Sequence, residues 1–403
     1  MQFPEFDYTS LYDINLPLRV WITLGMSVVC AALTAVVMWR RMRRVSRAAK
    51  SDAAAELPEG GYPAVSVIVY AQAAASNLRV LLPSLLEQDY PAPMEVIVVN
   101  DRSCDNTQDV VAELEMRYPN LYMTFTPEDS RNLSRRKLSL TLAVKAARYP
   151  MLMFTEGNCR VDSDRWLRAM MRKPAEEGKE VVIGHAVSAK PEEEEYAELT
   201  RGRAFDETMA AVVGLNGALC GHPFIATGYN LAYARHLFFD HKGFSRTLNL
   251  KFGDDDVFLS EIATGENTAV ELSPLARVTA MEYNPCGLHD LYRVRREFTR
   301  RYLRKRPYLA TALCSWLLWL WLGTSVAAVA AGVPSLVPLA VVLAAGVGLW
   351  VPTMVCFRRL SALLGERELL WSVPFLRLLR PFRTLRHRLR LRGSRRDQYT
   401  HPI

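Results

Sequence analysis

The sequence predicts an α/β domain with a mostly parallel sheet, flanked by one N-terminal and two C-terminal transmembrane helices. Between residues 63 and 154, short apolar runs alternate with segments of helical periodicity, a pattern typical of βαβ units. Three further segments, at about residues 20–39, 309–333 and 336–357, are apolar over the roughly 20 residues that a bilayer-spanning helix needs. The 403 residues are therefore expected to form more than one structural unit.

The soluble region is predicted to alternate strand and helix through its first half. The run Met94–Val99 is apolar at nearly every position, as expected of a strand buried on both faces of a parallel sheet. Leucines recur at helical spacing between Asn77 and Glu87, which predicts a helix with one buried face. The predicted strands are residues 65–70, 94–99, 121–125 and 150–154, and the predicted helices are 77–87, 137–147 and one that begins near Thr107.

Arginine-rich flanks of the three apolar segments predict their orientation. Such flanks stay on the cytoplasmic side of a membrane, so the N-terminus is expected outside and the α/β domain in the cytoplasm. The first segment is expected to be retained, because basic residues follow it directly and a small-residue cleavage site is lacking. The predicted divisions are 1–48 with the first membrane helix, a linker at 49–62, a cytoplasmic domain at 63–306, a membrane hairpin at 307–358 and a tail at 359–403.

The C-terminal tail carries the excess of positive charge. The chain has a net charge of +8, from 50 basic and 42 acidic residues, and the tail is rich in arginine. Apolar residues recur among those arginines at helical spacing from Phe375 to Leu389, which is typical of an interfacial helix on anionic lipid. Nucleic acid is the competing partner of a basic tail, but this tail lacks interleaved base-stacking aromatic residues. We therefore expect membrane lipid as a partner and no nucleic acid.

Three acidic loops are candidates for a ligand site: two follow apolar runs directly, and the third comes later in the chain. They are Asn100-Asp101, Glu156-Gly157-Asn158 and Gly253-Asp254-Asp255-Asp256. In parallel sheets, ligands bind at the carboxyl ends of the strands, where such loops lie. Asp101 could accept hydrogen bonds from a base or ribose, or it could be a helix N-cap or part of an Asx turn. The fragment alone leaves both roles open.

Six stretches in order resemble the family 2 inverting glycosyltransferases, and membrane-attached bacterial members most of all. The similarity covers about residues 63–303, together with the placement of the membrane helices, and it implies a nucleotide-sugar-binding fold of the GT-A type. The matching stretches are VSVIVYA, LLPSLLEQDYP, EVIVVNDRSCDNT, KLSLTLAVKAARYPMLMFTEGNC, GYNLAYARHLFF and GDDDVFLSEIATGENT.

The resemblance implies a donor site at two of the acidic loops. Asp101 corresponds to the acidic residue that contacts the nucleoside, and Lys137 lies where a basic residue could approach the diphosphate. Glu156 and Asn158 correspond to the two aspartates of the family's metal-binding D-x-D motif. Mg²⁺ and Mn²⁺ favour carboxylate and carbonyl oxygen, and Asn158 keeps an oxygen but lacks a negative charge. The expected cofactor is therefore a divalent metal whose binding is weakened or lost.

The resemblance also implies a catalytic and acceptor region. Asp255 corresponds to the general base that deprotonates the acceptor hydroxyl, with Asp254 and Asp256 beside it. Arg301 is a partial echo of the Q-x-x-R-W motif of processive synthases, and the missing glutamine argues against a polymerase. The loop expected near the acceptor consists of Gly228, Tyr229 and Asn230.

Two functions follow from this sequence. The first is a membrane-bound inverting glycosyltransferase of the bacterial inner membrane, multi-pass, that moves sugar from a nucleotide-sugar donor to a lipid-linked or membrane-proximal glycan acceptor. The alternative is a catalytically silent scaffold of a glycan-assembly complex, favoured by Asn158 and by the alanine-rich loop Ala71–Ala75 after the first strand. A transporter is disfavoured, because the membrane segments lack the intramembrane charges that mark substrate paths.

Overall fold

The computed structural model describes residues 11–126, 134–189, 197–281, 294–303 and 305–393, and the chain divides into two compact units. The helical unit comprises Met1–Arg43, Lys305–Leu360 and Glu368–Phe382. The α/β unit comprises Arg44–Arg304, Ser361–Arg367 and Arg383–Ile403.

The helical unit contains the predicted membrane helices. Within the described residues, three helices are long and apolar enough to cross a membrane: Leu18–Ala54, Thr311–Gly332 and Val337–Leu364. A buried cluster that includes Cys30, Leu318 and Leu349 packs them together. The Ser27 and Ser325 hydroxyl oxygens lie 2.7 Å apart, a buried polar contact of the kind that joins membrane helices. The prediction of one N-terminal and two C-terminal apolar helices is confirmed.

The first helix extends further than the sequence predicted. It runs from Leu18 to Ala54, so the first residues of the predicted linker 49–62 are helical. The cause is a buried anchor in the α/β unit, where Asp52 forms an ion pair with Arg172 at 2.7 Å. The backbone N–H of Leu272 donates a hydrogen bond to the same carboxylate at 3.1 Å. The final helix turns therefore belong to the α/β unit.

The helices of the chain follow the predicted periodicity. In α2, the leucines at spacings of three and four residues are buried, as an amphipathic helix requires. The helices are α1 Leu18–Ala54, α2 Ala75–Leu86, α3 Thr107–Glu115, α4 Arg135–Ala146, α5 Trp166–Glu177, α6 Ala197–Leu219, α7 Arg235–Asp240 and α8 Asp256–Ile262, then Lys305–Gly332, Val337–Leu364 and Val373–Gly393.

A seven-stranded sheet, in the order β3-β2-β1-β4-β8-β6-β9, forms the centre of the α/β unit, and a smaller sheet has the order β5-β10-β7. The large sheet is mostly parallel, and only β8 among its described strands runs antiparallel to its neighbours. The strands are β1 Val65–Ala71, β2 Met94–Asn100, β3 Leu121–Phe125, β4 Met151–Glu156, β5 Cys159–Val161, β6 Val181–Ile183, β7 Ala186–Ser188, β8 Leu231–Ala234, β9 Thr268–Val270 and β10 Val278–Ala280.

The strand order places two of the acidic loops side by side. From β1 the chain proceeds through β2 to β3 and then returns to β4 on the other side of β1, which is a switch in strand order. The register pairs Ala71 with Asn100 and Tyr70 with Glu156. Asp101 and Glu156 therefore leave the sheet at the same edge, beside the end of β1, which is where open α/β sheets bind ligands.

The described part of the predicted tail forms the helix Val373–Gly393. The preceding membrane helix ends at Leu364, six residues beyond the predicted boundary at 358. Phe375, Phe382 and Leu389 are exposed, as an interfacial helix requires. Within the α/β unit, Arg388 of this helix forms an ion pair with Glu297 at 2.8 Å. The tail residues after 393 lie outside the described part of the chain.

Candidate active site

A pocket of about 330 Å³, its open mouth included, lies at the carboxyl edge of the large sheet. Apolar side chains from α4, β4 and β8 form part of its lining, and charged side chains from α4 and the loop before α8 complete it. The lining residues are Tyr70, Arg136, Leu140, Phe154, Thr155, Gly228, Leu231, Tyr233, Phe244, Asp254 and Asp255.

Arg136, in the first turn of α4, connects two of the acidic loops. Its Nε donates a hydrogen bond to Asp254 at 2.6 Å, and a terminal nitrogen donates to Glu156. Its guanidinium carbon lies 4.4 Å from the ring centroid of Tyr70, a cation–π contact. Three side chains therefore hold this guanidinium at the wall of the pocket.

A second arginine binds the acidic triplet before α8. A terminal nitrogen of Arg295 lies 2.9 Å from Asp254 and 2.7 Å from Asp255. Burial raises the pKa of Asp254, but the guanidinium groups of Arg136 and Arg295 outweigh burial and hold that pKa below its ordinary range. Asp254 is therefore a buried anion that fixes two cations in place.

Asp255 is the more accessible carboxylate of this pair. Its side chain is 10% exposed, whereas that of Asp254 is 2% exposed. Asp255 is the N-cap of α8, where it accepts a hydrogen bond from the backbone N–H of Asp256 at 2.8 Å. Its other oxygen accepts a hydrogen bond from the backbone N–H of Gly228 at 3.1 Å. These contacts orient a carboxylate that lines the pocket.

Asp256 lies behind the pocket wall. Its side chain accepts hydrogen bonds from the backbone N–H of Val257 and from the Thr299 hydroxyl. Burial, with the nearby charge of Asp255, raises the pKa of Asp256 to about 7. The three aspartates of the triplet thus have different surroundings. Those of Asp255 leave its carboxylate accessible to a substrate in the pocket.

The structure rules out one of the roles left open for Asp101, that of a helix N-cap. Helix α3 begins at Thr107 after Asn106, so Asp101 is not its N-cap. The Tyr70 hydroxyl donates to one carboxylate oxygen of Asp101 at 2.7 Å, and Arg135 donates to the other at 2.8 Å. The buried carboxylate is thereby held at the same sheet edge as Glu156.

Glu156-Gly157-Asn158 forms a tight turn beside the end of β1. The backbone N–H of Gly157 donates to the Tyr70 carbonyl at 2.7 Å, and a Cβ at position 157 would lie 3.0 Å from the Cβ of Ala74. Asn77 donates to the carbonyl of Gly157 at 2.6 Å. Glycine at this position allows the turn to lie close to Ala71 and Ala74, which a larger residue would have to push away.

The residues of this turn do not fit a divalent metal site. The carboxylate of Glu156 is engaged by Arg136, and Asn158 adds a neutral amide. Across the described residues, no group of three or more His, Cys, Asp or Glu side chains is arranged to hold a metal ion. Because hard cations need several oxygen ligands with net negative charge, a carboxylate already paired with a guanidinium is a poor partner.

Other residues predicted for the site are placed differently by the structure. Lys137 is fully buried and donates to the carbonyl oxygens of Thr247 at 2.6 Å and Phe252 at 2.9 Å. Burial lowers the pKa of Lys137 to about 8. Lys137 thus fastens the segment before the acidic triplet and is not among the lining residues of the pocket. Arg301 is exposed and is also absent from that lining.

The predicted acceptor loop divides into lining and supporting residues. Gly228 lines the pocket, whereas Tyr229 is buried. Asn230 is fully buried, and its amide nitrogen donates to the carbonyls of His185 at 2.9 Å and Ala276 at 2.7 Å. The buried Asn230 side chain therefore joins the segment between β6 and β7 to the segment before β10, and it is not exposed to the pocket.

Three arginines of the site, Arg135, Arg136 and Arg295, and the tyrosine at the end of β1, Tyr70, were not predicted from the sequence. The signal for Arg135 and Arg136 was the basic run Arg135-Arg136-Lys137 at the start of a helix, opposite three acidic loops. Arg295 carried a weaker signal, since it is one of several arginines before the membrane hairpin.

Together, the fold and the pocket are those of a glycosyltransferase with a nucleotide-sugar-binding fold of the GT-A type. The chain belongs to Glycosyl transferase family 21, whose sequence profile matches residues 20–385. The more specific expectation of a bacterial family 2 enzyme stays a prediction.

Solved structures of glycosyltransferases are similar to this chain at low sequence identity. A mannosyltransferase from Pyrobaculum calidifontis, solved with GDP-Man and Mn²⁺, matches with a TM-score of 0.52 and 19% identity, over 91% of this chain and 99% of that chain. Glucosyl-3-phosphoglycerate synthase from Mycobacterium tuberculosis, solved with Mn²⁺, UDP and glucosyl-3-phosphoglycerate, matches with a TM-score of 0.35 and 14% identity, over 54% of this chain and 70% of that chain. No curated protein matches the sequence significantly.

Proposed function

We propose that the protein is a membrane-bound inverting glycosyltransferase that transfers sugar from a nucleotide-sugar donor to a lipid-linked or membrane-proximal glycan acceptor. The observation that carries this proposal is the presence of an oriented carboxylate, Asp255, and a fixed guanidinium, Arg136, in the lining of one pocket. An inverting transfer needs a base for the acceptor hydroxyl and positive charge for the departing diphosphate. Both requirements are supplied by this chain.

Asp255 acts as the general base in this proposal. The acceptor hydroxyl attacks the anomeric carbon from the face opposite to the diphosphate, and its proton passes to the Asp255 carboxylate. The Gly228 N–H and the Arg295 guanidinium support this role, because they fix the orientation of the carboxylate before substrate arrives. Asp101, held by Tyr70 and Arg135, is proposed to bind the nucleoside through its carboxylate.

The test is transfer by the purified full chain in lipid nanodiscs, with a panel of nucleotide sugars and a membrane lipid extract as acceptor source. Asp255→Asn keeps the size of the side chain and removes the basic oxygen, so transfer is expected to fall by about 100-fold to 10,000-fold. Asp109→Asn, an exposed position in the first turn of α3, is the matched control and should keep full turnover.

Full turnover by Asp255→Asn would refute the base assignment. An absence of both nucleotide binding and transfer in the wild-type chain would favour the silent scaffold. We place no step on a divalent metal, because the two expected ligands do not form a fitting set.

The membrane assignment rests on the apolar helices and their arginine-rich flanks. We propose that the protein is multi-pass in a bacterial inner membrane, with the α/β unit in the cytoplasm and the helix Val373–Gly393 on anionic lipid. A green fluorescent protein fused after the last residue is expected to fluoresce in cells, because the fluorescent protein becomes fluorescent when it folds in the cytoplasm. An active alkaline phosphatase fused at the same position would contradict the orientation.

A further inference from the structure

Two carboxylates at the carboxyl edge of the large sheet, those of Glu156 and Asp254, share one cation. Glu156 ends β4 and Asp254 precedes α8, so they come from loops about 100 residues apart, and Arg136 binds both. In a metal-dependent site, carboxylates of this kind face a dication that bridges them to the phosphates. Here a guanidinium occupies the bridging place between the carboxylates.

The guanidinium is held firmly and still reaches the pocket. Asp254, Glu156 and the Tyr70 ring contact it from different directions, and the Arg136 side chain remains 19% exposed in the pocket lining. A guanidinium has five N–H groups, and the two carboxylates are bound through Nε and one terminal nitrogen. The planar fork therefore has further donors for phosphate oxygens, which arginine binds in a bidentate way.

A dication would be repelled from this place. Arg136 contacts Glu156 and Asp254, and Arg295 contacts Asp254 and Asp255, so each of these three carboxylates already faces a fixed guanidinium. A metal bound to Glu156 and Asn158 would have to approach Arg136 closely or displace it from Glu156. The positive charges of the metal and of the guanidinium would then repel each other, and burial strengthens this repulsion.

We propose that the Arg136 guanidinium, and not a divalent metal, supplies the positive charge that binds the donor diphosphate. The proposal rests on the proposed function, because it names the group that holds the leaving diphosphate of that reaction. Glu156 and Asp254 then serve as the anchors of Arg136. Asn158 lies at the position of the second aspartate of the D-x-D motif. A neutral side chain there is consistent with a site in which no metal is bound.

The proposal predicts how nucleoside diphosphates bind with and without metal. The experiment is calorimetric titration of the full chain in nanodiscs with UDP, GDP, ADP and CDP, first in excess EDTA and then with MnCl₂. The wild-type chain is expected to bind at least one of them in EDTA. Added Mn²⁺ should change the affinity by less than about threefold, because Arg136 already provides the charge.

Two substitutions of Arg136 separate the effect of its charge from the effect of its planar shape. Arg136→Met removes the charge and keeps the length, so affinity in EDTA should fall at least about 30-fold, as for loss of a buried charged hydrogen-bond partner. Mn²⁺ should restore part of that loss, since the carboxylate of Glu156 loses its guanidinium partner and becomes available to a metal. Arg136→Lys keeps the charge without the fork and should bind with intermediate affinity in EDTA.

Arg79→Lys is the matched control, because Arg79 forms an exposed ion pair with Glu113 in α2 and α3, away from the pocket lining. Thermal unfolding of each variant shows whether the chain is folded. If Arg136→Met does not fold, the affinity of Arg136→Lys in EDTA tests the proposal instead. Wild-type binding that strictly needs Mn²⁺, with Arg136→Met or Arg136→Lys unchanged in affinity, would overturn the proposal. Failure of all four nucleotides under both conditions would overturn the proposed function and this proposal with it.

Discussion

Arg136 and Arg172 are both buried against two carboxylates in the α/β unit, but their surroundings differ. Arg172 binds Asp52 and Glu271 at 2.7 Å each, and none of these three side chains is more than 6% exposed. Arg136 binds Glu156 and Asp254 and remains 19% exposed in the lining of the pocket. Arginine and carboxylate side chains therefore form a closed cluster at Arg172, Asp52 and Glu271. They form an open cluster at Arg136, Glu156 and Asp254.

The remaining partners of the carboxylates account for the difference. In the closed cluster, Asp52 also accepts from the Leu272 N–H and Glu271 from the Ser273 N–H, so backbone groups complete the bonding. The open cluster adjoins Asp255, a carboxylate that is fixed by the Gly228 N–H and faces the pocket. A buried ion pair is thus weak evidence for function by itself, and access to a pocket makes the distinction.

The largest expected effect tests the closed cluster as a structural device. Arg172→Leu leaves Glu271 buried without its cation and leaves Asp52 with Lys173 at 3.6 Å, so the free energy of unfolding should fall by about 3–5 kcal/mol. Chemical denaturation of the full chain in detergent measures this. The affinity of the folded fraction for a nucleoside diphosphate should stay within about threefold of wild type, because Arg172 is absent from the pocket lining.

The matched control for Arg172 is an arginine whose ion pair is exposed. Arg79 and Glu113 are 56% and 63% exposed, so Arg79→Leu should change the free energy of unfolding by less than about 1 kcal/mol. Equal losses in Arg172→Leu and Arg79→Leu would mean that the closed cluster is not an anchor of α1. A large loss of nucleotide affinity in folded Arg172→Leu would contradict the conclusion that the closed cluster stabilises the fold without taking part in binding.

The fold was predictable from the sequence because buried strands leave continuous apolar runs in it. Strands β1, β2 and β4 are buried on both faces, and their continuous apolar runs identify them without knowledge of their neighbours. The acidic loops follow directly from the ends of those strands. The end of α1 was not predictable, since the burial of Asp52 depends on Arg172, which lies 120 residues away along the chain.

The cations of the site depend on helix phase, which a short basic run does not reveal. Arg136 and Lys137 are adjacent in sequence, yet successive residues of a helix point about 100° apart. Arg136 consequently faces the pocket, and Lys137 faces the carbonyl groups of Thr247 and Phe252. Lys137 was the basic residue predicted to approach the diphosphate, whereas its neighbour Arg136 is the one that lines the pocket. Asn230 belongs to the loop that lines the pocket through Gly228, but its own side chain is buried.

A smaller effect concerns Asp256, which separates the open cluster from the protein interior. Its pKa is about 7 in the folded chain and near 3.8 without burial, so the folded state holds a proton that the unfolded state has released. The stabilising contribution is complete below the lower pKa and is lost as pH rises through the higher one. From about pH 6 to about pH 8, the wild-type chain should lose about 1.4 kcal/mol of unfolding free energy from this group.

Asp256→Asn should remove that pH dependence, because an amide resembles the protonated acid and can still bond to Thr299 and the Val257 N–H. The difference between variant and wild type isolates Asp256 from Lys137, whose lowered pKa of about 8 makes stability rise with pH in the alkaline range. Chemical denaturation across the same pH range measures both chains. Parallel pH profiles would show that Asp256 is ionised when folded, and the charge balance around Arg295 would then include one more anion.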